Sequence, residues 1–147
     1  MGASGWSYLV AYQPDLDAAL DALRDTVFAE GDYWWARGET PNVASDYPHR
    51  PATMEELFDD EWVQEMGTHS ILDVYRVLAE REKPDFGTVE PVSAAEALRV
   101  AGTERLTREH LDAIKGLASQ AWFGRCAVLH DERGKPEEIY FWGYSGD

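Results

Sequence analysis

Residues 124–144 read GRCAVLHDERGKPEEIYFWGY, and this stretch decides the fold class. Two apolar runs flank a polar connection from Asp131 to Pro136 that contains a glycine and a proline, which is the pattern of a β-hairpin. The second run carries Tyr140, Phe141, Trp142 and Tyr144 almost to the end of the sequence, so it is expected inside a sheet. Rings that alternate along a strand stand on both of its faces, and the face away from the core is then covered by a helix or used for binding. The single cysteine, Cys126, sits in the first run, where a buried, inert thiol is expected.

Working outward, Gly5 to Tyr12 (GWSYLVAY) reads as a first strand with Trp6, Tyr8, Val10 and Tyr12 on one face. Asp15 stands where a helix N-cap belongs. Leu16, Leu20, Leu23 and Val27 then recur at helical spacing up to a stop at Gly31. From 32 to 52 the periodicity dissolves into a long aromatic-containing loop. A loop of that length in a compact domain carries function or is pinned by its own side chains, here Tyr33, Trp34, Trp35 and Tyr47. Adjacent tryptophans in an extended segment point opposite ways, so one of Trp34 and Trp35 is expected in the core and the other outside it.

Thr53 and Glu56 have capping-box spacing ahead of a short helix with Met54, Leu57, Phe58 and Trp62 on one stripe. Its outer side carries Glu55, Asp59, Asp60 and Glu65, a run that reads as a solvated face because it lacks the ligand alternation of a calcium loop. His69 to Leu78 (HSILDVYRVL) is read as a central strand. That places His69 and Asp73 about 13 Å apart, whereas a helix would place them side by side. A carboxylate between Ile71 and Tyr75 is either wet or buried with partners, which makes Asp73 the acidic residue of greatest interest. Ser93 and Glu96 repeat the capping box before Ala94, Ala97, Leu98 and Ala101. Thr107 then caps a further helix with Leu111, Ile114, Leu117 and Ala118 as its stripe.

The chain is therefore expected to form one α+β domain over residues 1–147. The expected core is a mainly antiparallel sheet of about four strands, with three to four helices packed on one face and a C-terminal β-hairpin.

Charge excludes whole classes of partner. With 13 Lys and Arg against 28 Asp and Glu, the formal net charge is −15, spread along the chain. Such a body repels phosphate backbones and anionic lipid surfaces, so neither nucleic acid nor membrane is expected as a partner. No apolar stretch is long enough to span a bilayer, and Met1 to Gln13 has no signal-peptide pattern, which points to a cytoplasmic protein. There is no phosphate-cradling glycine loop, nucleophile elbow, Cys-x-x-Cys or His-Glu-x-x-His. The scattered His49, His69, His110 and His130 have no metal-binding interval, and no metal or cofactor is expected.

The segments GWSYLVAYQPDLDAALDALRDTVF (5–28), GTHSILDVYRV (67–77), PDFGTVEPV (84–92) and WFGRCAVLHDERGKPEEIYFWGYSGD (122–147) resemble a family of small acidic hypothetical proteins from high-GC bacteria. The resemblance implies a bacterial domain and carries over no catalytic residues.

The sequence thus favours a non-enzymatic interaction protein, of inhibitor or immunity type, that meets a basic protein partner. Trp34, Trp35, Tyr47, Asp59, Asp60 and Trp142 are the candidate contact residues. The alternative is a small-molecule-binding protein or hydrolytic enzyme with a pocket between the long loop and the sheet, using His69, Asp73, Tyr75 and His130.

Overall fold

A computed structural model describes residues 4–35 and 50–146. Tyr47, His49 and most of the 32–52 loop lie outside the described residues.

The hairpin read from residues 124–144 forms the middle of the sheet. β1 (Gly5–Ala11), β2 (Arg76–Val77), β3 (Thr88–Pro91), β4 (Gly124–His130) and β5 (Pro136–Tyr144) stand in the order β1-β5-β4-β3-β2. β1 and β4 run antiparallel to β5, while β3 is parallel to both β4 and β2. The expected antiparallel sheet of four strands is therefore a mixed sheet of five. The difference arises between β2 and β4, where a loop over 78–87 joins β2 to β3 and a helix-bearing segment joins β3 to β4, because a parallel pair needs a connection long enough to return the chain. The turn itself is built by Asp131, whose side chain accepts from the amides of Arg133 and Lys135, each at 2.9 Å, and by Gly134 at φ 79°.

Alternation along β5 divides the core in two. Ile139 and Phe141 face Trp6, Val89, Cys126 and the first helix, α1 (Leu16–Glu30). Tyr140, Trp142 and Tyr144 face the opposite way. There they meet α4 (Ala94–Ala101) and α5 (Leu111–Ile114). Helices thus cover both faces, and the expectation of helices on a single face is corrected. Each β5 face carries large rings, and each needs cover from water.

Local signals set most element ends. Asp15 Oδ1 accepts from the Ala18 amide at 3.0 Å, and Gly31 closes α1 at φ 66°. Ser93 and Glu96 form the reciprocal capping box of α4. Trp6, Tyr8 and Val10 pack together on one face, as their spacing required.

Three stretches depart from the sequence reading. The helix expected from Met54 to Gly67 is broken into α2 (Met54–Asp59) and α3 (Glu61–Met66). Asp60 ends the first and caps the second through Trp62 and Val63, since a side chain able to take those amides competes with helix continuation. The strand expected from His69 to Leu78 is a tight turn, a 3-10 turn at Ile71–Asp73, and only then the two residues of β2. The helix expected after Thr107 is likewise a short α5 between 3-10 turns at Arg108–His110 and Lys115–Leu117. His110 Nδ1 accepts from the Thr107 amide at 2.9 Å, so this histidine serves the cap.

Candidate functional site

The turn after α3 is organised by one carboxylate. Asp73 Oδ1 accepts from the Thr68 amide at 2.7 Å and from the Thr68 hydroxyl at 2.8 Å. Thr68 Oγ1 also lies 2.6 Å from Ser70 Oγ, which accepts from the Leu72 amide at 3.1 Å. Gly67 has φ 75°, and a Cβ there would lie 2.6 Å from Asp73 Oδ2, so only glycine lets the chain pass this close. Asp73 is 4% exposed, and its Oδ2 has no hydrogen-bond partner among the described residues. Burial pushes its carboxyl up to about 6, against the pull of the Thr68, His69 and Ser70 bonds.

His69, at φ 52°, comes to Asp73 through its backbone amide, while its ring stacks on Trp34 at 4.4 Å and 10°. Sequence spacing in a strand kept these two residues apart; the turn joins them without making an imidazole–carboxylate dyad. Trp34 donates its amide to the Thr68 carbonyl at 2.8 Å, whereas Trp35 is buried in the core at 5% exposure. Of the adjacent tryptophans, Trp35 is thus the core residue, while Trp34, expected outside the core, is half-buried on His69. The neighbouring Tyr33 stacks on Phe28 and receives Arg50, whose Nη1 donates to the Tyr33 carbonyl at 2.8 Å.

Beside this turn lies a cleft of about 350 Å³. Its buried side is formed by Val63, Leu72 and Asp73, and its rim by Tyr75 and Phe86, which are 49% and 53% exposed. Phe86 packs against Trp122 with ring centroids 5.0 Å apart. Trp122 is held at φ 70° by two backbone bonds: its amide donates to Tyr144 and its carbonyl accepts from Gly87. Tyr75 crosses Gly87 so closely that a Cβ at Gly87 would overlap its ring. From α1, Arg24 enters the cleft. Burial lowers its pKa against the attraction of Asp21, Asp25 and Asp73. Its Nη2 donates to the Leu72 carbonyl at 3.5 Å, and its Nε has no hydrogen-bond partner among the described residues.

Of the residues singled out from the sequence, Asp73 and Tyr75 line this cleft. His130 does not: it sits at the end of β4 with Nδ1 3.0 Å from the Leu106 carbonyl and lines a different, open hollow with Arg108 and Glu137. Asp59 is exposed and Asp60 is the N-cap of α3. Trp142 is 3% exposed and donates Nε1 to the Lys115 carbonyl at 3.1 Å. Burial pushes the Cys126 thiol up to about 12, well away from a reactive thiolate. Sequence reasoning passed over Arg24, Phe86 and Trp122. The available signal was an aromatic residue beside a turn glycine, at Phe86-Gly87, in a segment too polar to bury it.

Among the described residues, no helix is long and apolar enough to cross a membrane, and no group of three His, Cys, Asp or Glu is placed to hold a metal ion. Compared with known proteins, the chain matches no family model, no curated protein and no solved structure.

Proposed function

We propose that this chain is a non-enzymatic, acidic interaction protein of inhibitor or immunity type that holds a basic protein partner against the face formed by Tyr75, Phe86 and Trp122. The observation that supports this most is the exposure of Tyr75 and Phe86, beside Trp122, on a chain of net charge −15. Clustered exposed rings are costly to leave in water and serve as anchors when a partner covers them. The surrounding negative field draws a basic body in and speeds encounter, while the rings slow its departure.

A photoreactive benzoylphenylalanine in place of Phe86, in the native cell, tests this reading. The expected result is one predominant cross-linked protein with a basic surface. Its association with the purified chain should slow markedly between about 50 and 500 mM salt, as surface attraction is screened. Absence of any cross-link, or a partner whose on-rate ignores salt, would overturn the proposal.

A further inference from the structure

We propose that the free edge of β1 takes an extended segment of a basic protein as a sixth, antiparallel strand, with one large apolar side chain of that segment seated in the groove between β1 and α5. This goes beyond the partner-binding reading and does not depend on it, since β1 and β2 are opposite edges of the sheet and Tyr75 stands beside β2. The ends of β1 set which way its backbone points: the Tyr12 amide donates to the Glu137 carbonyl at 3.0 Å, and the Ser4 carbonyl accepts from the Ser145 amide at 2.9 Å. In an antiparallel pair alternate residues turn their amides and carbonyls to the neighbour, so the even-numbered residues bond β5 while Gly5, Ser7, Leu9 and Ala11 turn theirs outward. All four are exposed, and their outward groups have no hydrogen-bond partner among the described residues. Sheet edges are commonly blunted by proline, charge or a bulge; GWSYLVA carries no proline or charge and pairs with β5 without a shift in register.

The groove supplies a side-chain preference. Gly5 and Ser7 lie opposite Tyr144 and Trp142 of β5, and both are too small to cover the sheet beside those rings. The space left, about 420 Å³, is bounded by Tyr140 and Trp142, stacked with centroids 5.0 Å apart, and by Leu111 of α5. On an antiparallel added strand, the residue facing Ser7 makes both of its outward bonds and points its side chain to the same face, over the groove. Main-chain bonds then hold the strand, and this side chain selects it. Charge decides the occupant. Asp112 on the groove and Glu137 opposite Tyr12 are exposed carboxylates at the two ends of the site, and Asp112 offsets Lys115, the cation on the groove. A second copy of a chain with net charge −15 meets this edge with repulsion, whereas a segment flanked by lysine or arginine is attracted.

The test titrates the full chain by calorimetry with the end-capped peptide Lys-Thr-Val-Phe-Val-Thr-Lys, whose phenylalanine and threonines share one face. Saturable binding is expected. N-methylation of the phenylalanine amide, which points at Ser7, should weaken it by about tenfold or more, through one lost hydrogen bond and the clash of the methyl. N-methylation of the valine before it, whose amide points away, should leave affinity within about twofold. Replacing the phenylalanine by alanine, or both lysines by glutamate, should each weaken binding by about tenfold. On the protein, Ser7→Pro removes only an outward amide and blocks the edge, so it should abolish binding with little change in the thermal melt. Absence of binding, equal effects of the two N-methylations, an alanine or glutamate peptide that binds as well, or a dimer of the chain that closes the edge to the peptide would each overturn the inference. The peptide series is read on the unaltered chain, so it stands even if Ser7→Pro folds poorly. It makes no use of Tyr75 or Phe86, so its failure leaves the cross-linking result at Phe86 untouched.

Discussion

Arg125 on β4 grips Glu96 on α4 with two nitrogens, Nη1 to Oε2 at 3.1 Å and Nη2 to Oε1 at 2.5 Å. The same guanidinium donates Nε to the Glu90 carbonyl at 3.0 Å and Nη1 to the Leu117 carbonyl at 3.3 Å. One side chain, 8% exposed, therefore ties β3, β4, α4 and the 3-10 turn after α5 together. Removing it strands a half-buried carboxylate and two carbonyls. Arg125→Ala is expected to cost about 3–5 kcal/mol. Arg125→Lys should recover only part of this, because a point charge cannot span the same acceptors. Urea denaturation decides the matter, and a loss under about 1 kcal/mol for the alanine variant would show the network to be ornamental.

Asp73 and Glu96 should respond to pH in opposite directions. Burial raises the Asp73 carboxyl from 3.8 to about 6, so the folded state holds its proton more tightly than the unfolded chain. Its contribution is fully present below pH ~4 and is lost as pH rises through about 6. Burial also pushes Glu96 up, but the bonds from Arg125 and Ser93 outweigh it and hold the carboxyl below 4.5. That contribution is present at neutral pH and disappears as pH falls through the lowered value. Asp73→Asn keeps an acceptor for Thr68 and removes the buried charge. Relative to the parent chain, it should gain on the order of 2 kcal/mol between pH 4 and 7. A stability difference that is flat across that range would refute the assignment.

The adjacent tryptophans give an asymmetric pair of variants. Trp35→Ala empties a core position and should cost about 3 kcal/mol or more. Trp34→Ala removes a half-exposed stack on His69 and should cost about 1 kcal/mol. Equal shifts in the thermal melts of the two variants would mean that both rings are structural in the same sense.

Two glycine-to-alanine changes separate steric from conformational cost. Gly143 pairs with Gly124 across the hairpin, and a Cβ there would lie 2.7 Å from the Trp6 ring and 2.9 Å from the Phe123 carbonyl. Because one of those neighbours is backbone, Gly143→Ala should cost about 3 kcal/mol. Gly102 has φ 75° and open space around it, so Gly102→Ala should cost only the strain of a left-handed residue, about 1 kcal/mol. Chemical denaturation of the two variants should preserve that order.

Much of the architecture was legible because local chemistry and tertiary packing agreed. Asp15, Gly31, the Ser93–Glu96 box and the Asp131 turn act on their immediate neighbours and needed no knowledge of the rest of the fold. The stretch 69–78 was misread because its apolar, β-branched composition suits a strand, while its conformation is set by a contact the pattern does not contain: Asp73 reaching back to Thr68 across the Gly67 turn. The two-sided helix cover was hidden for a similar reason. Tyr140, Trp142 and Tyr144 signalled a second apolar face, but which helices cover it depends on the crossover between β3 and β4. At the candidate cleft, Asp73 and Tyr75 were visible as individuals. Arg24, Phe86 and Trp122 come from distant segments, and only the fold brings them to the same place.

The pairing of Gly5–Ala11 with Glu138–Tyr144 has a temporal consequence. β1 leaves the ribosome long before β5 and waits for that strand before it has a neighbour, and Trp6 has no Gly143 to lie over until β5 has followed. Closing so large a span slows assembly compared with a fold made of local contacts. During that wait, the GWSYLVA strand is an unpaired β edge of the kind that recruits other chains. Yield on rapid overexpression should therefore be governed by the fate of this segment before the hairpin forms, rather than by the stability of the finished sheet.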